Sequence, residues 1–333
     1  MDNKKKDSLS VIDIAEMAGV SVATVSRVIN QNGRFSKETE DRVKEIIRKY
    51  NYQPNQLARG MRVSKTKIVG ILVPDITNEF FANITLELQK QLLDNDYLTM
   101  ICNTNEMKEL EAKQINMLRA QRVAGIIYVA GNAKEKTKLD VPVIYIDRHP
   151  GNSVSEKDNI IIESDNRMGG YIATKELIER GCKNVVCVSF HREISAHENR
   201  ILGYLDAVRE AGLPERVCIV DRVSADESAK ALRQMWEKDR NIDGAFCTTD
   251  TLALGVMEFC AGFGYSIPHS FKIVGYDDTS ISQKIWPRLT TIRQSVETFG
   301  ELGVKILLDL IAGEKPEQNL YQIPVELIRR GTT

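Results

Sequence analysis

From Lys67 onward, short apolar runs alternate with amphipathic stretches, and this alternation limits the fold more than any other feature of the chain. Ile68-Val69-Gly70-Ile71-Leu72-Val73 reads as a strand and about Asn78 to Asp94 as a helix; Leu98 to Cys102 reads as a strand and Leu110 to Ala120 as a helix. The pattern continues through Gly125–Val129 and Val143–Ile146, resumes at Asn159–Ile162 and runs past Lys272-Ile273-Val274. Strands that alternate with helices form parallel sheets covered on both faces. Roughly 270 residues of such sequence exceed one sheet of normal width, so an α/β body of two doubly wound lobes is expected. Ligands of open α/β sheets sit beyond the carboxyl ends of the strands, and a cleft between two lobes would bring both sets of ends together.

Composition removes several classes. Of 333 residues, 42% are hydrophobic and 27% charged, which excludes a disordered or collagenous chain. The longest apolar runs, such as Val123 to Ala130, fall far short of the ~20 residues that span a bilayer. The six cysteines contain no C-x-x-C pair, and most sit in strand-like runs, so they read as buried free thiols. Polar residues follow Met1-Asp2-Asn3-Lys4-Lys5-Lys6 where a secretory signal would be apolar. A cytoplasmic protein with no membrane contact is expected.

Charge is uneven along the chain. Residues 1–66 hold 13 lysines and arginines against 8 aspartates and glutamates, a net of +5, which leaves −6 for the rest of a chain whose total is −1. A basic head on an acidic body is consistent with a head that meets a polyanion. Within it, Ile14, Met17 and Ala18 recur at helical spacing, as do Val25, Val28 and Ile29. Gly19 lies between the two runs, where a tight turn needs positive φ, and Ser21 follows where a side-chain oxygen can cap the second helix. Ala15 is small where two helices cross and Val25 fills the space between them, the requirement of a helix-turn-helix. A third helix is expected from Ser36, with Val43, Ile46, Ile47 and Tyr50 on one face.

The second helix of such a motif presents its N-terminal residues to base edges in the major groove. Arg27 can bond guanine in bidentate fashion, and Val22 and Ala23 can meet thymine methyls. Ser21, Thr24, Ser26 and Asn30 carry hydroxyl or amide donors suited to phosphate oxygens. Pro54 stops the preceding helix and Asn55 can cap a short new one that is marginal alone in water. Two copies of that helix would support each other in a minor groove, with an apolar wedge opening a base step.

Ile12-Asp13-Ile14-Ala15, Ser21-Val22-Ala23-Thr24-Val25-Ser26-Arg27-Val28-Ile29-Asn30, Tyr52-Gln53-Pro54-Asn55 and Ala58-Arg59 together resemble the LacI/GalR family of bacterial repressors. The resemblance places Asn55, Ala58 and Met61 in the hinge that meets DNA. It implies a leucine as the wedge, where this chain has the more flexible Met61. The body resembles the periplasmic sugar-binding proteins, whose fold that family carries. The matching stretches are Val73 to Phe81, Ile146-Asp147-Arg148, Ser164-Asp165-Asn166 with Gly169-Gly170, Arg200 to Tyr204, Val274 to Asp278 and Leu289 to Gln294. Three crossovers between the lobes are implied, near residues 160, 290 and 320. The expected plan is a helix-turn-helix domain at 1–54, a hinge helix and linker at 55–66, and an effector-binding and dimerisation body at 67–333. Within the body, one lobe takes about 67–160 and 291–320, the other about 161–290 and 321–333.

The candidate effector residues follow strand runs. Asp147, Arg148, Arg200, Asp277 and Gln294 offer carboxylates, forked donors and an amide that suit vicinal hydroxyls. Asn78 adds an amide, and Phe80 and Phe81 offer flat apolar surface for a sugar ring. The family often has Asn-Asp where this chain has Thr249-Asp250, so Thr249 brings a hydroxyl in place of an amide, and the effector can differ from the pentose that the other residues suggest. The chain has no G-x-x-x-x-G-K-[ST], G-x-G-x-x-G or G-x-S-x-G motif. The four histidines, His149, His191, His197 and His269, lack metal-ligand spacing, and a surface or loop position is expected for His191 and His197. Neither enzyme chemistry, metal nor cofactor is expected. The reading is therefore a homodimeric repressor of a palindromic double-stranded operator, controlled by a small, carbohydrate-like effector. The alternative is a cytoplasmic solute-binding protein or small-molecule enzyme with an incidental helical head.

Overall fold

A computed structural model of the chain describes residues 9–50, 52, 66–130, 140–148, 159–190 and 194–333, the side chain of Asn30 excepted. The chain divides into two compact units, Met1–Thr66 and Lys67–Thr333.

The head holds α1 (Val11–Ala18), α2 (Val22–Asn30) and α3 (Lys37–Lys49). Ser10 and Asp13 form a reciprocal capping box at the start of α1, and Gly19 ends it at φ 65° in the left-handed region. Ser21 caps α2 by accepting from Thr24 N at 3.2 Å, and Ser36 caps α3 by accepting from Thr39 N at 3.2 Å. Ile14, Ala15, Ala18, Val25, Val28 and Val43 are buried and form the core. Two residues of the expected apolar faces are exposed: Met17 at 45% and Tyr50 at 46%. Tyr50 is the C-cap of α3, past the last helical residue, so the helical spacing no longer turns it inward.

The body contains two six-stranded sheets. The first is built from β1 (Ile68–Val73), β2 (Leu98–Asn103), β3 (Gly125–Val129), β4 (Val143–Ile146), β5 (Ile160–Ser164) and β11 (Leu320–Ile323), in the order β11-β5-β4-β3-β1-β2, parallel throughout. The second is built from β6 (Val185–Phe190), β7 (Val217–Val220), β8 (Gly244–Cys247), β9 (Lys272–Asp277), β10 (Thr290–Gln294) and β12 (Val325–Ile328), in the order β12-β10-β9-β8-β6-β7. In it β10 and β12 pair antiparallel, and the other pairs among the described residues are parallel.

In the first lobe, α4 (Glu79–Asp94) and α11 (Val296–Ala312) cover one sheet face and α5 (Lys108–Ala120) the other. In the second, α6 (Asn166–Glu179) and α7 (Ser195–Glu210) lie on one face, α8 (Ala225–Lys238) and α9 (Asp250–Phe263) on the other. The short α10 (Ser280–Lys284) follows β9. α6 and α7 touch closely because Gly170 has no Cβ where the Arg200 carbonyl passes.

The crossovers fall later than residues 160, 290 and 320. β5 lies wholly in the first sheet, β10 wholly in the second, and β11 and β12 are divided by Pro324 alone. The chain therefore changes lobe at Asp165, Ser295 and Pro324. Each strand runs to its carboxyl end at the cleft before it can leave its sheet, so the boundary follows the apolar run instead of opening it.

Candidate functional site

In the head, Ser21, Ala23, Ser26 and Arg27 are exposed on α2, while Val22 and Thr24 are half-buried. Val22 packs against the head core, so a large part of its surface is already covered. The methylenes of Arg27 pass over Gly33. Asn55, Ala58 and Met61 lie outside the described residues, as does the side chain of Asn30.

In the body, the strand ends bring most of the expected effector residues together. Asp147 follows β4, Asp277 ends β9 and Gln294 ends β10. Non-glycine residues at these ends occupy the left-handed region: Ala130 at φ 53°, Asp147 at 75°, Asp277 at 104° and Asp278 at 52°. Such backbone costs of order 1–3 kcal/mol per residue and gathers where a site must be held in shape.

Arg200, 4% exposed on α7, is fixed from every side. Its Nε donates to Asn166 Oδ1 at 2.8 Å and its Nη1 to the Thr248 carbonyl at 2.7 Å, and the guanidinium stacks 3.6 Å above the Tyr276 ring. Nη1 also lies 3.6 Å from Asp277 Oδ1, which accepts from Gln294 Nε2 at 2.8 Å. Asp147 Oδ2 is 3.4 Å from Arg148 Nε, and Arg148 Nη1 donates to Glu106 Oε1 at 3.3 Å. Arg200 acts electrostatically on Asp147, and Asp147 on Asp277, so the two lobes contribute to one charged cluster.

Burial dominates the titration of this cluster. It raises the Asp147 carboxyl above its usual range despite Arg148 and Arg200. It pushes Asp277 up to about 8, Arg200 opposing and Asp250 and Asp147 reinforcing. His197 is also in the cluster, 6% exposed, with Nδ1 3.0 Å from Thr248 Oγ1. Burial, then Arg200 and Arg148, holds its pKa well below 6.5, so the ring is neutral at pH 7. That overturns the surface position expected for His197; helical phase turns it inward on α7, and its spacing to His191 says nothing of that.

Asp147 Oδ1, Arg148 Nε, Ser164 Oγ and Gln294 Oε1 are buried and make no hydrogen bond among the described residues. Buried polar atoms without partners cost roughly 1–3 kcal/mol each, and a hydroxyl-rich molecule would satisfy them. Three of the four belong to expected effector residues. The other expected residues have structural duties. Asn78 caps α4 by accepting from Phe80 N at 3.0 Å, and Thr249 caps α9 by accepting from Leu252 N at 3.2 Å. Phe80 and Phe81 are 5% and 6% exposed in the first lobe's core, with Arg148 over the Phe81 ring at 5.2 Å. They form a floor beneath the cluster and leave little free ring surface. Asn166, Thr248 and Tyr276, which orient Arg200, were not singled out by the sequence; Asn166 and Tyr276 stand inside the stretches that matched, beside Asp165 and Asp277.

The fold and this cluster define a class: a helix-turn-helix head carried with a two-lobed binding body. Residues 10–55 match the bacterial regulatory proteins of the lacI family, and residues 174–333 match the periplasmic binding protein-like domain. A ribose operon repressor of Halalkalibacterium halodurans is 32% identical over 326 residues, 97% of each chain. The HTH-type transcriptional repressor PurR of Vibrio atlanticus is 32% identical over 331 residues, covering 97% of this chain and 98% of its own. Among solved structures, a periplasmic binding protein/LacI transcriptional regulator from Alkaliphilus metalliredigens, complexed with D-xylulofuranose, is 30% identical with a TM-score of 0.72, covering 80% of this chain and 99% of its own. The chain belongs to the lacI family of bacterial regulatory proteins. It is a DNA-binding transcriptional regulator, and the relatives it resembles over nearly its whole length are transcriptional repressors.

Proposed function

We propose that this regulator is a cytoplasmic homodimer that binds a palindromic double-stranded operator and changes its affinity when a small polyhydroxylated molecule, a sugar or sugar derivative, enters the cleft between its lobes. On the operator, Arg27 reads a guanine, Ala23 and the exposed part of Val22 meet methyl groups, and Ser21, Thr24, Ser26 and Asn30 hold phosphates. Asn55, Ala58 and Met61 act in the minor groove.

In the body, Asp147, Arg148, Arg200, Asp277 and Gln294 bind the hydroxyls, with Asn78, Phe80, Phe81 and Thr249 shaping the mouth and floor. The observation that carries this reading is the set of buried polar atoms without a hydrogen bond among the described residues, Asp147 Oδ1 and Gln294 Oε1 above all, in a cluster drawn from both lobes. The Alkaliphilus relative was solved in complex with D-xylulofuranose, a ligand of the same chemical class. No metal or cofactor enters the reading.

The test is thermal melting of the full chain against pentoses, ketopentoses, hexoses and purine bases. A ligand at about 100 times its Kd stabilises the folded state by about 2.7 kcal/mol, and Gln294→Ala should abolish the shift without lowering the unliganded Tm by a comparable amount. A shift with purines alone, or with none of the panel, would sink the carbohydrate reading. Operator binding should weaken steeply as salt rises.

A further inference from the structure

Across the seam between the lobes, one carboxylate makes a two-pronged contact. Glu79, the first residue of α4 in the first lobe, accepts from Ser280 N at 2.7 Å through Oε1 and from Ser280 Oγ at 2.8 Å through Oε2. Ser280 is the first residue of α10 in the second lobe, 201 positions along the chain.

Beside this contact lies a crevice of about 300 Å³, lined by Phe80, Asn83 and Leu86 on α4 and by Asp278 and Thr279 of the other lobe. At the edge of this crevice the lobes are joined by two hydrogen bonds to a carboxylate.

Both ends are tied to the effector cluster. Glu79 precedes Phe80 and Phe81, and Phe81 lies under Arg148. Ser280 ends a run that starts at Asp277 and is held rigid at each step. Asp278 pairs with Arg330 at 2.6 Å and Arg293 at 2.8 Å, and Asp250 Oδ2 accepts from both Thr279 N at 2.7 Å and Thr279 Oγ1 at 2.9 Å.

We infer that Glu79 and Ser280 form a latch that sets the equilibrium between lobe arrangements, favouring the one that assembles the effector cluster. The inference rests on the reading of the cleft as the effector site only in its consequence for ligand affinity. The latch itself is a property of the unliganded protein. A carboxylate at the first turn of a helix also interacts favourably with the helix dipole, and that alone would account for Glu79. It would not account for Ser280, so the two residues must be tested together.

Nitroxides on Lys108→Cys and Arg222→Cys, exposed residues that follow β2 and β7 at the mouths of the two lobes, report the opening in a Cys102→Ser background. Without ligand, Glu79→Gln and Ser280→Ala should each move the distance distribution toward longer separations, and the double variant should move it no further than either single. Unchanged distributions in both single variants, or shifts that simply add, overturn the latch whatever the ligand proves to be. With a sugar that shifts the melting temperature, each variant should bind it about tenfold more weakly through the lost population of the assembled state. If the distances move but no sugar binds, the latch stands and the carbohydrate reading falls.

Discussion

Burial pushes the Asp277 carboxyl up to about 8 and that of Asp250, at the start of α9, up to about 7, both from 3.8. A folded-state pKa raised above the unfolded one means that folding takes up a proton between the two values. The stability this contributes is fully present below 3.8 and is lost as pH rises through about 7 to 8. The slope is roughly 1.4 kcal/mol per pH unit for each proton. His197 acts oppositely: its folded pKa lies well below 6.5, so stability falls as pH drops through that value. Urea denaturation of Asp250→Asn against the parent, from about pH 4 to about pH 9, should isolate the carboxyl contribution. Their difference in unfolding free energy should change with pH up to about 7 and be constant above it; a difference constant throughout would mean that Asp250 is ionised in both states. At the operator, Arg27→Ala should cost about 1–3 kcal/mol and relax preference at one base pair. Equal losses on all sequences would demote Arg27 to a phosphate contact.

Ser36 caps α3 through Thr39 N, and the head core against which α3 packs is small. Ser36→Ala should therefore lower head stability by about 1 kcal/mol, seen in calorimetry as a lower head transition with the body transition unmoved. The elements themselves were legible in the sequence. Ile68–Val73 and Val143–Ile146 are apolar runs bounded by turn residues, and Ser21 and Ser36 declare helix starts through local hydrogen bonds. What depends on the partner element was not. β5 could not be assigned to a lobe from its own residues, because Ile160-Ile161-Ile162 is equally apolar in either sheet. The inward turn of His197 and the core role of Phe80 likewise follow from neighbours distant in sequence. Asp147, Arg148, Arg200, Asp277 and Gln294 of the buried cluster stand in the stretches that carry the resemblance, and four of them lie at strand ends. The Asn166, Thr248 and Tyr276 set that fixes Arg200 became visible only through its contacts.

At the scale of the molecule, two lobes share one chain that passes between them at Asp165, Ser295 and Pro324. Leu88 on α4 and Val256 on α9 are fully buried in separate lobe cores. Leu88→Ala should cost about 2–5 kcal/mol, and Val256→Ala should destabilise through the same loss of buried apolar volume. Either variant should lower one common body transition in calorimetry. Two separated body transitions would show that the lobes melt independently.

The late place of β11 in the chain also bears on synthesis. The first sheet has five strands by Ser164, but its edge beside β5 stays unpaired until Leu320–Ile323 emerges from the ribosome, after five of the second sheet's six strands have been translated. Domains that are contiguous in sequence can fold as they appear, N-terminal first. This body cannot close its first lobe in that way, and until nearly the last residues are made it carries an open β-edge of the kind that recruits chaperones or pairs with a neighbouring nascent chain.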